Sequence, residues 1–218
     1  MAHWTKEHIL AHLSTLKDRN TQEKLEQFFD DLAPNYDKMA VTSGYVGPSV
    51  TSTLLQKYVT SKEAWIMDIA SGTGLVGECL ANSGYTNIDA VDGSASSIEE
   101  ALKKNVYTNL YVQWLGGDNK LNIENDTYDA IVCTGAFAAN QLKSDVFPDF
   151  IRITKPGGYI LINMRTQWLE LEASYAEGKL EGDMVKLEND GKWKLVEKHN
   201  YDGDESALNL VTFIHKVC

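Results

Sequence analysis

Asp68-Ile69-Ala70-Ser71-Gly72-Thr73-Gly74-Leu75-Val76-Gly77 sits between two unlike stretches. Before it, residues 64–70 (AWIMDIA) form a short apolar run, which reads as a buried strand. After it, residues 72–81 have helical spacing. Glycines at a strand-to-helix turn let the backbone approach a ligand closely, beside the positive end of the helix dipole. NIDAVD (87–92) reads as a second strand and ends in Asp92. An acidic side chain at that place can accept both hydroxyls of a ribose. Together they describe a nucleoside-cofactor site at the switch point of a parallel sheet. Gly72-Thr73-Gly74-Leu75-Val76-Gly77 also fits the dinucleotide pattern GxGxxG, with Asp92 twenty residues after Gly72, so NAD competes for the same residues.

The alternation continues outward from this unit. Residues 94–105 read as a helix with Ser94 as its cap, 109–115 as a strand, 128–134 (YDAIVCT) as a strand, 145–154 as a helix and 157–164 as a fifth strand. This order predicts an α/β fold with a parallel sheet and helices on both faces. Residues 168–177 read as helical and 178–191 as an exposed loop. Residues 193–201 and 207–217 then alternate as two strands. Their link is too short for a crossover, so they should be antiparallel. Upstream, residues 4–17 have helical spacing. Thr21 caps a second helix carrying Leu25, Phe28, Phe29 and Leu32, which Pro34 should end. A polar stretch with Tyr36, Gly44, Tyr45 and Gly47 leads to a third helix near Pro48. Residues 1–60 are expected to form a helical N-terminal lid on a domain of residues 61–218.

Composition narrows the class. A chain of 218 residues that is 43% hydrophobic and 23% charged can build a full core without staples. No apolar run approaches a membrane span, and the N-terminus lacks a secretory pattern. Cys79, Cys133 and Cys218 are odd in number and far apart, which suits neither a disulfide framework nor a metal cluster, and points to the cytosol. The net charge of −11 disfavours nucleic acid as a partner.

Three details weigh against NAD. Asp68, at the end of the first strand, suits a cationic amino group better than a pyrophosphate. Helices precede the first βαβ unit, and no separate substrate domain follows the sheet. A Tyr175/Lys179 pair matches the reductase couple, but the pattern is short enough to arise by chance.

Asp-x-Ala-x-Gly-x-Gly after a strand resembles motif I of class I S-adenosylmethionine-dependent methyltransferases, with Ala70 where glycine is usual. Asp92, Gly117-Asp118, YDAIVCTGA and ITKPGGYILI resemble the later motifs in order. DIASGTGLVGECL and VDGSASSIEEA look most like the methyltransferase-like proteins of the Williams–Beuren syndrome region. The resemblance implies a Rossmann-like seven-stranded mixed sheet, order 3-2-1-4-5-7-6, with the last strand antiparallel. S-adenosylmethionine is the implied cofactor. It also implies that Asp68, Ala70, Gly72 and Gly74 bind the methionine half, with Asp92, Gly93 and Ser94 at the ribose. Gly117 and Asp118 belong at the adenine, and Thr134 and Gly135 at the methyl end. Tyr36 would close over the methyl and, with Tyr45, Arg165 and Trp168, meet the substrate. Arg165 could hold a substrate carboxylate.

Methyl transfer needs alignment and a dry approach, and a base only if the acceptor keeps its proton. No catalytic base is legible. The acceptor is expected to be a small molecule with an oxygen or nitrogen nucleophile, on a monomer or homodimer. An NAD(P)-dependent reductase, a protein methyltransferase and a non-catalytic cofactor-binding adaptor remain open.

Overall fold

The computed structural model describes residues 7, 11, 14–202 and 209–218. The expected first helix, over 4–17, falls largely outside the described residues, which show a 3-10 turn at Thr15–Asp18.

Seven strands form one sheet in the order β3-β2-β1-β4-β5-β7-β6. The strands are β1 (Trp65–Ile69), β2 (Asn87–Asp92), β3 (Asn109–Val112), β4 (Tyr128–Thr134), β5 (Thr154–Arg165), β6 (Trp193–Tyr201) and β7 (Leu210–Val217). The first five are parallel, and β7 runs antiparallel to both β5 and β6. The expected order and the antiparallel last strand are both present.

Alternation along the central strands builds two cores. Met67, Ile131, Cys133 and Ile162 face one way, against Phe147 and Phe150 of α5 (Phe147–Ile153) and Leu180 and Met184 of α7 (Lys179–Asn189). Ile66, Ala130, Val132 and Leu161 face the other, against Leu54 and Leu55 of α2 (Gly47–Tyr58) and Val76 and Leu80 of α3 (Leu75–Asn82). Burying each such aliphatic side chain stabilises by roughly 1.5–3 kcal/mol before entropy is counted. Between β2 and β3 lies α4 (Ala95–Lys103), capped by Ser94 Oγ accepting from the Ser97 N–H at 3.0 Å.

Three sequence expectations fail in whole or in part. Pro34 does not end its helix: α1 runs from Gln22 to Ser43 with Pro34 inside it. The proline removes one N–H bond, but it is exposed, and the helix is pinned to other elements on either side of it, as described below. Tyr36 is therefore helical rather than in a polar stretch. The helix stops at Gly44, which is left-handed (φ 67°). There Gly44 N–H donates to the Val41 carbonyl and Tyr45 N–H to that of Ala40, a Schellman ending. The second failure is 178–191. It is not a loop, because Leu180, Met184 and Leu187 recur at helical spacing and bury one stripe of α7. Only Trp168–Leu171 (α6) of the expected 168–177 helix forms an α-helical turn.

Candidate active site

The carboxyl ends of β1, β2 and β4 face α1 across a cavity of about 280 Å³. Its floor is the glycine loop. Ala70 (φ 53°), Gly72 (φ 55°) and Gly74 (φ 89°) are all left-handed, which turns the chain sharply from β1 into α3. A Cβ on Gly72 would meet nothing, so that side of the loop stands open.

Asp92 ties the loop to its neighbour. One carboxylate oxygen accepts from the Gly72 N–H and the other from the Ser94 N–H, both at 2.8 Å. Asp92 lines the cavity, and each oxygen keeps a lone pair for a further donor. Burial pushes its carboxyl above the usual range, against those backbone bonds. Asp68 lies elsewhere. It is 1% exposed, beneath the loop, and does not line the cavity. Its Oδ2 accepts from the Tyr107 hydroxyl at 2.7 Å, while Oδ1 is buried without a partner. Burial pushes its carboxyl up to about 7, and the Tyr107 bond opposes this. The Tyr107 ring also explains two glycines, since a Cβ would come within 2.9 Å of it at Gly74 and 2.3 Å at Gly77.

Helix α1 forms the opposite wall. Leu25, Phe29, Ala33 and Tyr36 line the cavity at helical spacing. Two acids seven residues apart dock this helix. Asp30 accepts from Ser94 Oγ at 2.6 Å and from the Ser96 N–H at 3.3 Å. Asp37 accepts from Thr73 Oγ1 at 2.5 Å and from Lys104 Nζ at 2.6 Å. The 3-10 turn is held by Asn140 Nδ2, which donates to the Leu16 and Lys17 carbonyls at 3.0 Å.

The expected cofactor residues separate into three groups. Ala70, Gly72, Asp92, Gly93, Thr134, Gly135 and Tyr36 come together on the cavity. Asp68, Gly74 and Ser94 support it from behind. Gly117 and Asp118 do neither: Asp118 is exposed and Gly117 N–H donates to Asp145 at 2.6 Å. The turn there brings Gln113, Trp114, Gly116 and Asn119 to the cavity instead. Trp114 lies on Gly93, where a Cβ would come within 2.5 Å of its ring, and its Nε1 is buried without a partner. Sequence reading missed Thr73, Trp114, Asp30, Asp37 and Tyr107. The seven-residue spacing of the two α1 acids was a legible signal; the partners of Tyr107 and Trp114 depend on tertiary contact.

A second cavity of about 90 Å³ adjoins the first, and Phe29, Tyr36, Gly135 and Gln141 line both. Tyr45, Arg165 and Trp168 line the second and not the first. Burial raises the phenols of Tyr36 and Tyr45, and the Arg165 guanidinium opposes the rise. Thr134 Oγ1 is hydrogen-bonded to Thr51 Oγ1 at 2.9 Å. Tyr175 is a core phenol donating to the Ala138 and Leu142 carbonyls, and Lys179 reaches the Ala173 carbonyl, so the reductase couple does not assemble. Asp129 braces strands, accepting from the Trp65 N–H and Lys155.

Residues 66–158 match the family described as Methyltransferase domain. Human Methyltransferase-like protein 27 is 32% identical over 169 residues, covering 77% of this chain and 67% of that protein. The chain belongs to the class I S-adenosylmethionine-dependent methyltransferases. Among related methyltransferases, the ubiquinone/menaquinone biosynthesis C-methyltransferase UbiE of Geotalea daltonii is 26% identical over 148 residues. That match covers 64% of this chain and 62% of UbiE, so the chain spans less than two thirds of it. The [4+2]-cyclase SpnF has the same fold, with a TM-score of 0.67 and 10% identity over 90% of this chain and 96% of SpnF. A likeness at that identity speaks for the fold alone.

The residues fit the methyltransferase cofactor, S-adenosylmethionine. An open glycine loop, a cavity-facing acid at the end of β2 and an unpartnered indole N–H offer what a nucleoside and its amino-acid tail need. Asp92 would hold the ribose, and the 70–74 backbone the methionine half. When bound, the cofactor supplies a sulfonium-activated methyl group. Among the described residues no cluster of metal-ligating side chains forms, and no helix is long and apolar enough to cross a membrane.

Proposed function

We propose that this methyltransferase moves the methyl group to a small molecule, at oxygen or nitrogen. The second cavity carries this reading. It continues the cofactor cavity past Tyr36 and Gly135, at the end where the methyl is expected, and its volume of about 90 Å³ suits a small acceptor. Tyr36 divides the two spaces and, with Tyr45 and Trp168, keeps water from the approach. Thr134, Gly135, Arg165 and the loop glycines orient the two partners, which supplies rate without a base. The covering unit in this reading is α1 with the 3-10 turn, ending at Gly44, because α2 belongs to the core under the sheet. The three free cysteines suit a reducing compartment such as the cytosol.

Calorimetry with S-adenosylhomocysteine and with NAD, followed by transfer of labelled methyl from S-adenosylmethionine into a metabolite extract, tests the reading. Binding of S-adenosylhomocysteine and label in a low-mass product are expected. Tight NAD binding with no response to S-adenosylhomocysteine, or label found only in protein, would overturn it.

A further inference from the structure

The small cavity holds a cation and a hydrogen-bond acceptor that the described residues leave unused. Asn163 and Arg165 are two apart on β5, so they project from the same face of the sheet, and both line the cavity. Asn163 is fully buried; its Nδ2 donates to Thr212 Oγ1 at 2.8 Å and its Oδ1 has no partner. A buried amide oxygen left bare costs stability unless a donor reaches it. Arg165 has no ion-pair partner among the described residues, although the chain carries 31 acidic residues. Among the described residues the rest of the wall is aromatic or apolar apart from Ser43, Gln141 and the Tyr36 and Tyr45 hydroxyls, and no Asp, Glu, His, Lys or Cys lines it.

We infer that this cavity takes a small amino acid, with its carboxylate on Arg165 and its amine donating to Asn163 Oδ1, and that the methyl goes to nitrogen. This rests on the methyl-transfer reading above. A guanidinium is suited to a carboxylate, which it can engage through two parallel N–H donors. The bare Asn163 oxygen repels a second carboxylate and attracts an N–H. Without a lining base among the described residues, a hydroxyl would keep its proton and attack poorly. An amine needs no base once neutral, and the Arg165 charge and apolar walls favour its neutral form. Its lone pair forms the nitrogen–carbon bond as the carbon–sulfur bond breaks, with that electron pair returning to sulfur. The resulting methylammonium passes its proton to water on release. At about 10–15 Å³ per water-sized group, the cavity admits on the order of six to nine non-hydrogen atoms.

The test uses the whole chain with S-adenosylmethionine and three probe sets. Glycine, alanine and 4-aminobutyrate carry both groups; methylamine and propylamine lack the carboxylate; lactate and 3-hydroxybutyrate lack the amine. Methylation is expected for at least one amino acid and for neither other set, with a rate that rises with pH toward the amine's own pKa. Calorimetry of the same amino acid on the S-adenosylhomocysteine complex gives a binding readout independent of turnover. Arg165→Met should weaken that binding about tenfold to a hundredfold, leave S-adenosylhomocysteine affinity unchanged, and be partly rescued by Arg165→Lys. Equal turnover of amines lacking a carboxylate, turnover of the hydroxy acids, no turnover of any amino acid, or unaltered binding in Arg165→Met would each overturn the inference. Loss of S-adenosylhomocysteine binding by the wild type would instead overturn the methyl-transfer reading itself.

Discussion

Asp92 has two tasks. It faces the cavity, and it holds the glycine loop to the turn after β2 through the Gly72 and Ser94 N–H groups. Asp92→Ala is therefore expected to weaken S-adenosylhomocysteine binding more than tenfold and also to destabilise the fold by about 1–2 kcal/mol, because two part-buried backbone donors lose their acceptor. Calorimetry and urea unfolding measure the two effects separately; wild-type affinity would remove Asp92 from the cofactor site. Ala70 makes the opposite case. It stands where motif I usually has glycine, and its φ of 53° lies in the region that L-residues occupy at a cost of about 1–2 kcal/mol. Ala70→Gly should relieve that strain, offset in part by the greater freedom of glycine in the unfolded chain, for a net gain of about 0.5–1 kcal/mol. A rise of a few degrees in Tm would show it, and a fall would mean that the Ala70 methyl contributes packing that outweighs the strain.

Helix α1 links the N-terminal wall to the cofactor loops. Asp37 joins it to Thr73 and to Lys104, which also reaches Glu78 at 3.1 Å. The Asp37 side chain is 44% exposed, so solvent screens the pair, and Asp37→Ala should cost no more than about 1 kcal/mol of stability. Its larger effect should be local. With the helix less firmly docked on the glycine loop, proteolysis within residues 22–43 should speed up without ligand and slow again with S-adenosylhomocysteine, and cutting at the wild-type rate would show that Asp30 and apolar packing hold α1 unaided. This helix also marks the limit of sequence reading. The strands were legible because short apolar runs of up to four residues in the centre of the sheet, and alternation in β6 and β7, leave few alternatives, and strand order followed from the resemblance. Pro34 misled, since a local breaking signal was outweighed by docking at Asp30 and Asp37, contacts that reach 64 and 36 residues along the chain. In α7 the many charges hid the Leu180/Met184/Leu187 stripe. Asp92 was placed from its strand end alone, whereas the Gln113–Asn119 turn could not be, because the glycines at 116 and 117 leave its direction to the backbone.

Across the whole molecule, two buried titrating groups pull stability in opposite directions. Asp68 has a folded pKa of about 7, raised by burial from the ordinary 3.8. Between those values the folded state keeps a proton that the unfolded chain gives up, so its contribution to stability falls as pH rises. His215 is stacked on Trp193 with ring centroids 4.0 Å apart, and its Nδ1 is buried without a partner. Burial lowers its pKa from 6.5 to about 4. There the unfolded chain binds the extra proton, so its contribution rises with pH over that window and is lost as pH falls through it. From about pH 4 to 6.5 the two slopes oppose each other, and above 6.5 the Asp68 slope is the one of the two that remains. Asp68→Asn removes the carboxyl while keeping an oxygen to accept from Tyr107. The stability of this variant relative to wild type should therefore climb as pH goes from 4 to 7, by on the order of 4 kcal/mol at most, since a tenfold change in proton affinity is worth about 1.36 kcal/mol. Urea unfolding at pH 4.5, 5.5, 6.5 and 7.5 reads the difference directly. A difference that stays level with pH would mean that Asp68 ionises as an ordinary carboxylate, held charged by Tyr107 and the loop, and that its burial beneath the glycines carries no electrostatic cost.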